Sequence, residues 1–212
     1  AAPTVTDMAA ERIGEELVKM LTAGNARRAF TLLETTTLLP VVLPEVAAYR
    51  GVAQSPEWHP EGDVWEHTLL LLQQLPAGVR ETVALAALLH DVAKPQCAGT
   101  KDGRITFHGH PQVGAGIALA VCQRLRRSRT TWERVSWLVH EHLRLVQAPA
   151  MRLATLKKLL AQEGFDELLH DIEPQADALD VPMSCDADAS KATKEVRQIA
   201  FTPLLSVMPV RL

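Results

Sequence analysis

The stretch Leu88-Leu89-His90-Asp91-Val92-Ala93-Lys94-Pro95 decides how this chain is read. It sets a histidine and an aspartate side by side at the end of an otherwise apolar run, 83–93. Neither side chain belongs in a core unless it is paired or holds a metal. Adjacent His and Asp offer a nitrogen and an oxygen ligand from one rigid element. That donor pair suits a divalent ion, and an ion so held suits chemistry on phosphates.

Working outward, a third candidate ligand, His67, lies one helix earlier. It stands eight residues before Leu75, where Pro76-Ala77-Gly78 forces a tight turn and an antiparallel return. Eight residues into the returning helix is Ala87, so His67 is expected within about one turn, ~5.4 Å, of His90 and Asp91. Asp63, one turn before His67, is expected to orient its imidazole or to act as a further ligand. His140 and His142 are two apart on a helix and cannot point the same way. His142 shares a stripe with Val135, Leu138 and Val139, so it is the inward candidate. In Phe107-His108-Gly109-His110-Pro111, His110 is fixed at a helix entrance, while His108 reads as a loop residue. His59, His140 and His170 are likewise expected at the surface or in loops.

The chain has 212 residues, room for one large domain or two small ones, and 47% apolar residues, enough for a core. A net charge of -3 argues against strong nonspecific nucleic-acid binding by the chain as a whole. Cys97, Cys122 and Cys185 are widely spaced with no C-x-x-C, and read as reduced structural residues of a cytoplasmic protein. A signal peptide and a membrane span are not expected. The chain opens on Ala rather than Met, as a processed, trimmed or fragmentary chain would.

Leu, Ala and Val dominate, aromatics are scarce and strand signals nearly absent, so an all-α fold is expected. Helices are expected from a Thr6 or Asp7 cap to Gly24, from Asn25 to about Leu33, and over 63–75, 79–93, 111–126 and 131–146. Further helices are expected over 152–162, 165–171 and 174–179. Pro40 and Pro44 break the chain before one or two turns at 45–49. Residues 96–109 form a loop, with Asp102-Gly103 in a turn and a short extended piece at 104–107.

His67, then His90-Asp91, then a distal Asp resembles the H…HD…D signature of HD-domain metal-dependent phosphohydrolases. The strings 58–68, 88–95 and 107–114 are closer still to the body region of bacterial tRNA nucleotidyltransferases and poly(A) polymerase-like proteins. Glu11-Arg12-Ile13-Gly14-Glu15-Glu16-Leu17 is similar to the start of that family's neck helices. The resemblance covers roughly residues 8–180 and implies three parts: a neck-like helical region at 1–50, an HD domain at 51–182 and a C-terminal extension at 183–212. Nothing in the chain resembles the family's nucleotidyl-transfer head. Nucleotidyl transfer by this chain alone is therefore not expected, and head and tail domains missing from it are expected partners.

The resemblance implies an HD helical bundle preceded by two neck-like helices, with His67, His90, Asp91 and Asp177 on one divalent ion. Asp180 remains an alternative to Asp177. His110 and His142 resemble the histidines that hold a second ion in binuclear members. The implied cofactor is one or two divalent ions, Mn, Ni, Fe, Co, Zn or Mg. Asp91 would touch both ions or take a proton from water. Lys94 would act as a cation on the substrate phosphate, with Arg144 a weaker candidate. Arg126 and Arg127, in the cluster Arg124, Arg126, Arg127, Arg129, are either a phosphate- or RNA-facing patch or cations placed at a helix C-terminus. No aromatic residue interleaves with that cluster. The implied activity is hydrolysis of a phosphomonoester or phosphodiester, in a nucleotide or a tRNA-like RNA end, by metal-activated water. The alternatives are a non-catalytic RNA-binding body module and a nucleotide-sensing regulatory domain.

Overall fold

The computed structural model describes residues 9–56 and 59–144, together with Arg152 and Thr155. The expected helices over 152–162, 165–171 and 174–179 lie outside the described residues, as do Asp177, Asp180, His170 and Cys185.

Each long helix follows from a local signal. Helix α1 (Ala10–Thr22) buries Gly14, Leu17 and Leu21 on one face and leaves its charged residues outside. The small Gly14 matters, because a Cβ there would sit 2.5 Å from the Leu125 carbonyl oxygen. Helix α2 (Ala26–Thr35) begins after Asn25 and buries Phe30 and Leu33. The two prolines do not simply break the chain. Pro40 and Pro44 occupy the first turns of α3 (Leu39–Val42) and α4 (Pro44–Ala47), where a missing N–H costs nothing.

Helix α5 (Val64–Gln74) starts on a true cap, with Asp63 Oδ1 accepting from the Glu66 amide at 2.9 Å. Asp63 Oδ2 accepts from the Gly51 amide at 2.7 Å. Both oxygens are thus committed to backbone amides, so the expected role of Asp63 beside His67 is corrected. Helix α6 (Glu81–Leu89) is apolar all round, and Val83 through Leu89 are all buried, as befits a central helix. It ends before His90 rather than running to Ala93. The chain turns through 90–93, and Pro95 opens a short helix, α7 (Lys94–Cys97), instead of stopping one.

The expected loop at 96–109 contains a hairpin. Strand β1 (Gly99–Lys101) pairs antiparallel with β2 (Arg104–Thr106), Thr100 opposite Ile105. Asp102 (φ 52) and Gly103 (φ 76) make the mirror-image turn that matches strand twist. Helix α8 (His110–Arg124) follows left-handed Gly109, and α9 (Arg129–Glu141) starts on the Ser128 cap. Helix α9 packs on α8 and α6, α1 packs on α6, and α2 packs on α5. One apolar core runs from Leu17, Leu21 and Phe30 through Leu71, Leu85 and Leu88 to Val135 and Leu138. Cys122 is buried within it, and that burial pushes its thiol up to about 12; Cys97 is half-buried, and neither is in a disulfide. Among the described residues no helix is long and apolar enough to cross a membrane.

Candidate metal centre

The α5–α6 hairpin brings the imidazoles of His67 and His90 to 5.3 Å between ring centroids. His142 lies 5.4 Å beyond His90, and His110 is 5.2 Å from His142. Asp91 stands among them at 1% exposure. Its Oδ2 faces His90 Nε2 at 3.2 Å and His67 Nε2 at 3.9 Å. Its Oδ1 faces His110 Nε2 at 3.4 Å and His142 Nε2 at 3.9 Å. The side chains come from the start of α5, the end of α6, the start of α8 and the end of α9. The four histidines and Asp91 are all buried, yet His67 Nε2 and His90 Nε2 have no hydrogen-bond partner.

Buried polar atoms without partners call for an explanation. The ring tautomers supply one. His90 Nδ1 donates to the Ala87 carbonyl at 2.9 Å, His110 Nδ1 to Phe107 at 2.8 Å, and His142 Nδ1 to Val139 at 2.7 Å. A carbonyl only accepts, so the proton of each neutral ring sits on Nδ1 and the Nε2 lone pair is left facing the cluster. His110 Nε2 and His142 Nε2 stand 3.2 Å apart, a contact that needs either an extra proton or a cation beside both lone pairs. Burial, then the neighbouring His90, pushes His142 down to about 3, so it stays neutral. Burial also lowers His67. Burial alone would lower His90, but the Asp91 carboxylate outweighs it and holds that imidazole above its ordinary value. Burial alone would raise Asp91; His90 and Lys94 hold it well below the usual carboxylate range. The donor set is therefore a permanent carboxylate ringed by imidazole nitrogens. It fits a divalent transition ion, and the groups His67–His90–Asp91 and Asp91–His110–His142 each have ligand atoms within 4.8 Å of one another.

The other expected residues fall differently. Lys94 is buried, its Nζ 2.7 Å from Asp91 Oδ2 and 2.5 Å from Gln54 Oε1, over the Phe107 ring at 5.2 Å. It is committed to holding Asp91 rather than extended toward a ligand. Arg144 pairs with Glu141, which is also hydrogen-bonded to His140. Arg126 and Arg127 follow the C-terminus of α8, about 20 Å along the helix from His110. Arg126 is exposed and Arg127 pairs with Glu81 at 3.5 Å, so neither joins the histidine cluster. Arg124 is tied to Glu45 and to the Val42 carbonyl, and Arg129 lies over Trp132 at 6.0 Å. His108 and His140 are exposed, as expected. His59 is a loop residue, as expected, but it is half-buried beside the cluster. It sits 4.8 Å from the His67 ring, its Nδ1 2.9 Å from Glu61 Oε1.

Glu61 is the residue the spacing missed. Its Oε1 lies 2.6 Å from His67 Nδ1, where Asp63 had been expected. Burial alone would raise its carboxyl; the hydrogen bond from His67, a backbone amide and His59 bring it down to about 2. Glu61 precedes the helix, so no helical periodicity points to it. The only sequence signal was the His59-Pro60-Glu61-Gly62 string itself.

A helical bundle that gathers histidines from successive helices around an HD dyad defines a class of metal-site protein. More than half of the chain, residues 63–180, matches the HD domain model, and the chain belongs to the HD-domain family. Residues 1–50 match a second family, described as "Probable RNA and SrmB- binding site of polymerase A". The chain is similar to the Multifunctional CCA protein of Alkalilimnicola ehrlichii, 34% identical over 180 residues, 84% of this chain and 42% of that protein. It is also similar to the Multifunctional CCA protein of Halorhodospira halophila, 35% identical over 168 residues, 78% of this chain and 39% of that one. The chain thus spans about two fifths of the length of these relatives.

Proposed function

We propose that this chain is a metal-dependent phosphohydrolase of nucleotides or RNA ends, the HD part of a tRNA nucleotidyltransferase-like protein. One observation carries the reading: imidazole Nε2 atoms and the Asp91 carboxylate converge in a buried cluster, where His67 Nε2 and His90 Nε2 have no hydrogen bond. His67, His90 and Asp91 would hold one divalent ion, and Asp91 with His110 and His142 a second. Asp177 remains the proposed distal ligand. A bound ion supplies Lewis acidity to water and to a phosphate oxygen. The chain's own groups supply the rest. Asp91 is charged and bridges the two halves, Lys94 and Gln54 fix its orientation, and the backbone carbonyls of Ala87, Phe107 and Val139 hold three imidazoles in the donor tautomer.

The match of residues 1–50 to an RNA-binding family and the names of the relatives favour RNA as the partner. They also support a second reading, a non-catalytic body module that positions tRNA and keeps the metal for structure.

The test is hydrolysis of p-nitrophenyl phosphate, its bis ester and 2′,3′-cyclic nucleotides, with Mn²⁺ or Ni²⁺ added. Turnover that disappears in His90→Ala and Asp91→Ala supports the hydrolase. Bound metal with no turnover of any of these esters rejects it in favour of the module.

A further inference from the structure

The imidazoles of the cluster are not all held alike. His90, His110 and His142 each donate Nδ1–H to a backbone carbonyl three residues back. No side-chain change can remove those acceptors. His67 alone depends on a side chain, with Glu61 Oε1 at 2.6 Å from its Nδ1. The same oxygen lies 2.9 Å from His59 Nδ1, and the His59 and His67 rings meet edge to face. The loop that carries Glu61 is tied on either side of it: the His59 amide donates to the Ser55 carbonyl at 2.8 Å, and the Gly62 amide to the His59 carbonyl at 3.3 Å.

Without Glu61, a proton on His67 Nδ1 would be a buried donor with no acceptor. The ring would then carry its proton on Nε2, which faces the Asp91 carboxylate at 3.9 Å. That tautomer closes the lone pair the ion needs. A carboxylate on Nδ1–H also makes the imidazole a stronger electron donor through Nε2.

We propose that Glu61 is a positioning residue for metal binding: it locks the tautomer of His67 that presents Nε2 to the ion, and His59 clamps the same carboxylate oxygen. This deepens the metal reading above and rests on it for its binding arm.

The experiment compares the full chain with Glu61→Gln, Glu61→Leu and His59→Ala. Mn²⁺ and Ni²⁺ affinities are measured by competition with a chromogenic chelator. The His67 tautomer is read in the metal-free proteins by long-range ¹H–¹⁵N correlation. Glu61→Leu is expected to lose roughly 10–100-fold in affinity and to move the His67 proton to Nε2. Glu61→Gln keeps an oxygen acceptor but not the charge, so it should keep the tautomer and lose less. His59→Ala should weaken binding in the same direction as Glu61→Leu, by a smaller factor. Wild-type affinity in Glu61→Leu, an unchanged tautomer there, or a Glu61→Gln as weak as Glu61→Leu would overturn the proposal. Should the wild-type chain bind neither ion, the metal reading fails, and the tautomer measurement still decides what Glu61 does to His67.

Discussion

His90 and Asp91 are adjacent in the chain yet play unlike parts. The carboxylate is charged at any ordinary pH, whereas His90 is held above its usual value, so that below the raised value it carries a second proton in the metal-free cluster. A raised imidazole stabilises the metal-free fold below its unfolded value of about 6.5, and that contribution is lost as pH rises through the folded value. An ion must displace the same proton to reach Nε2. Below the raised value, Mn²⁺ affinity is therefore expected to climb about tenfold per pH unit and then flatten. His142, pushed down to about 3, contributes no such proton, and burial lowers His67 as well. Titration calorimetry in buffers of different ionisation enthalpy would show up to one proton released per ion. An affinity that does not change between about pH 5.5 and 6.5 would contradict this assignment. At this scale the sequence was legible where a residue sat on a regular helix. His67 and His90 could be brought together from the spacing of two helices and the turn that joins them, while His110 and His142 were joined to them only through the family resemblance. Glu61, Gln54 and His59 could not, because loops place them and no periodicity governs a loop. Lys94 was legible by position but not by partner, since only the fold shows its ammonium turned back onto Asp91.

At the scale of elements, the end of α6 matters most, because the His90-Asp91 dyad hangs from it. A helix leaves its last carbonyls without partners, and in a buried end each needs a donor. The Tyr49 hydroxyl provides one, donating to the Leu88 carbonyl at 3.0 Å from a fully buried ring. Burial, with Asp91 nearby, drives that phenol well above its ordinary value, so it remains a donor at any working pH. Tyr49→Phe is expected to cost about 1–3 kcal/mol, because the carbonyl stays buried and unpaired. Urea unfolding would read the loss, and a wild-type midpoint would show that the bond contributes nothing net. The sequence marked the helices themselves well through caps, prolines and apolar spacing. It misjudged the ends of α6 and α9, where the chain turns immediately beside His90 and His142 to aim them inward. It also undervalued the Asp102-Gly103 turn, because each flanking strand is only three residues long, too short to show alternation.

Across the whole molecule, the neck-like helices and the HD helices share their apolar interior. Leu17 and Leu21 of α1 and Phe30 of α2 belong to the same cluster as Leu71, Leu85 and Leu88, and α1 rests on α6. At the end of α8 the approach is closer still, and the Leu125 carbonyl requires a glycine at position 14. Two sequence families meet in this chain, but their boundary is not a gap in packing. Helices that bury their faces against each other unfold together, so one cooperative transition is expected. Phe30→Ala empties a fully buried ring site far along the chain from His90 and should cost about 3–5 kcal/mol. It should lower the melting temperature reported by helix content and by the near-ultraviolet signal of buried Trp65 on α5 equally. Saturating Mn²⁺ should raise both signals together, by about 2.7 kcal/mol at a hundredfold excess over Kd. Were Phe30→Ala to melt α1 and α2 first and leave the Trp65 transition and the Mn²⁺ shift in place, the two regions would be separate folding units. The metal site would then draw no stability from the neck-like helices.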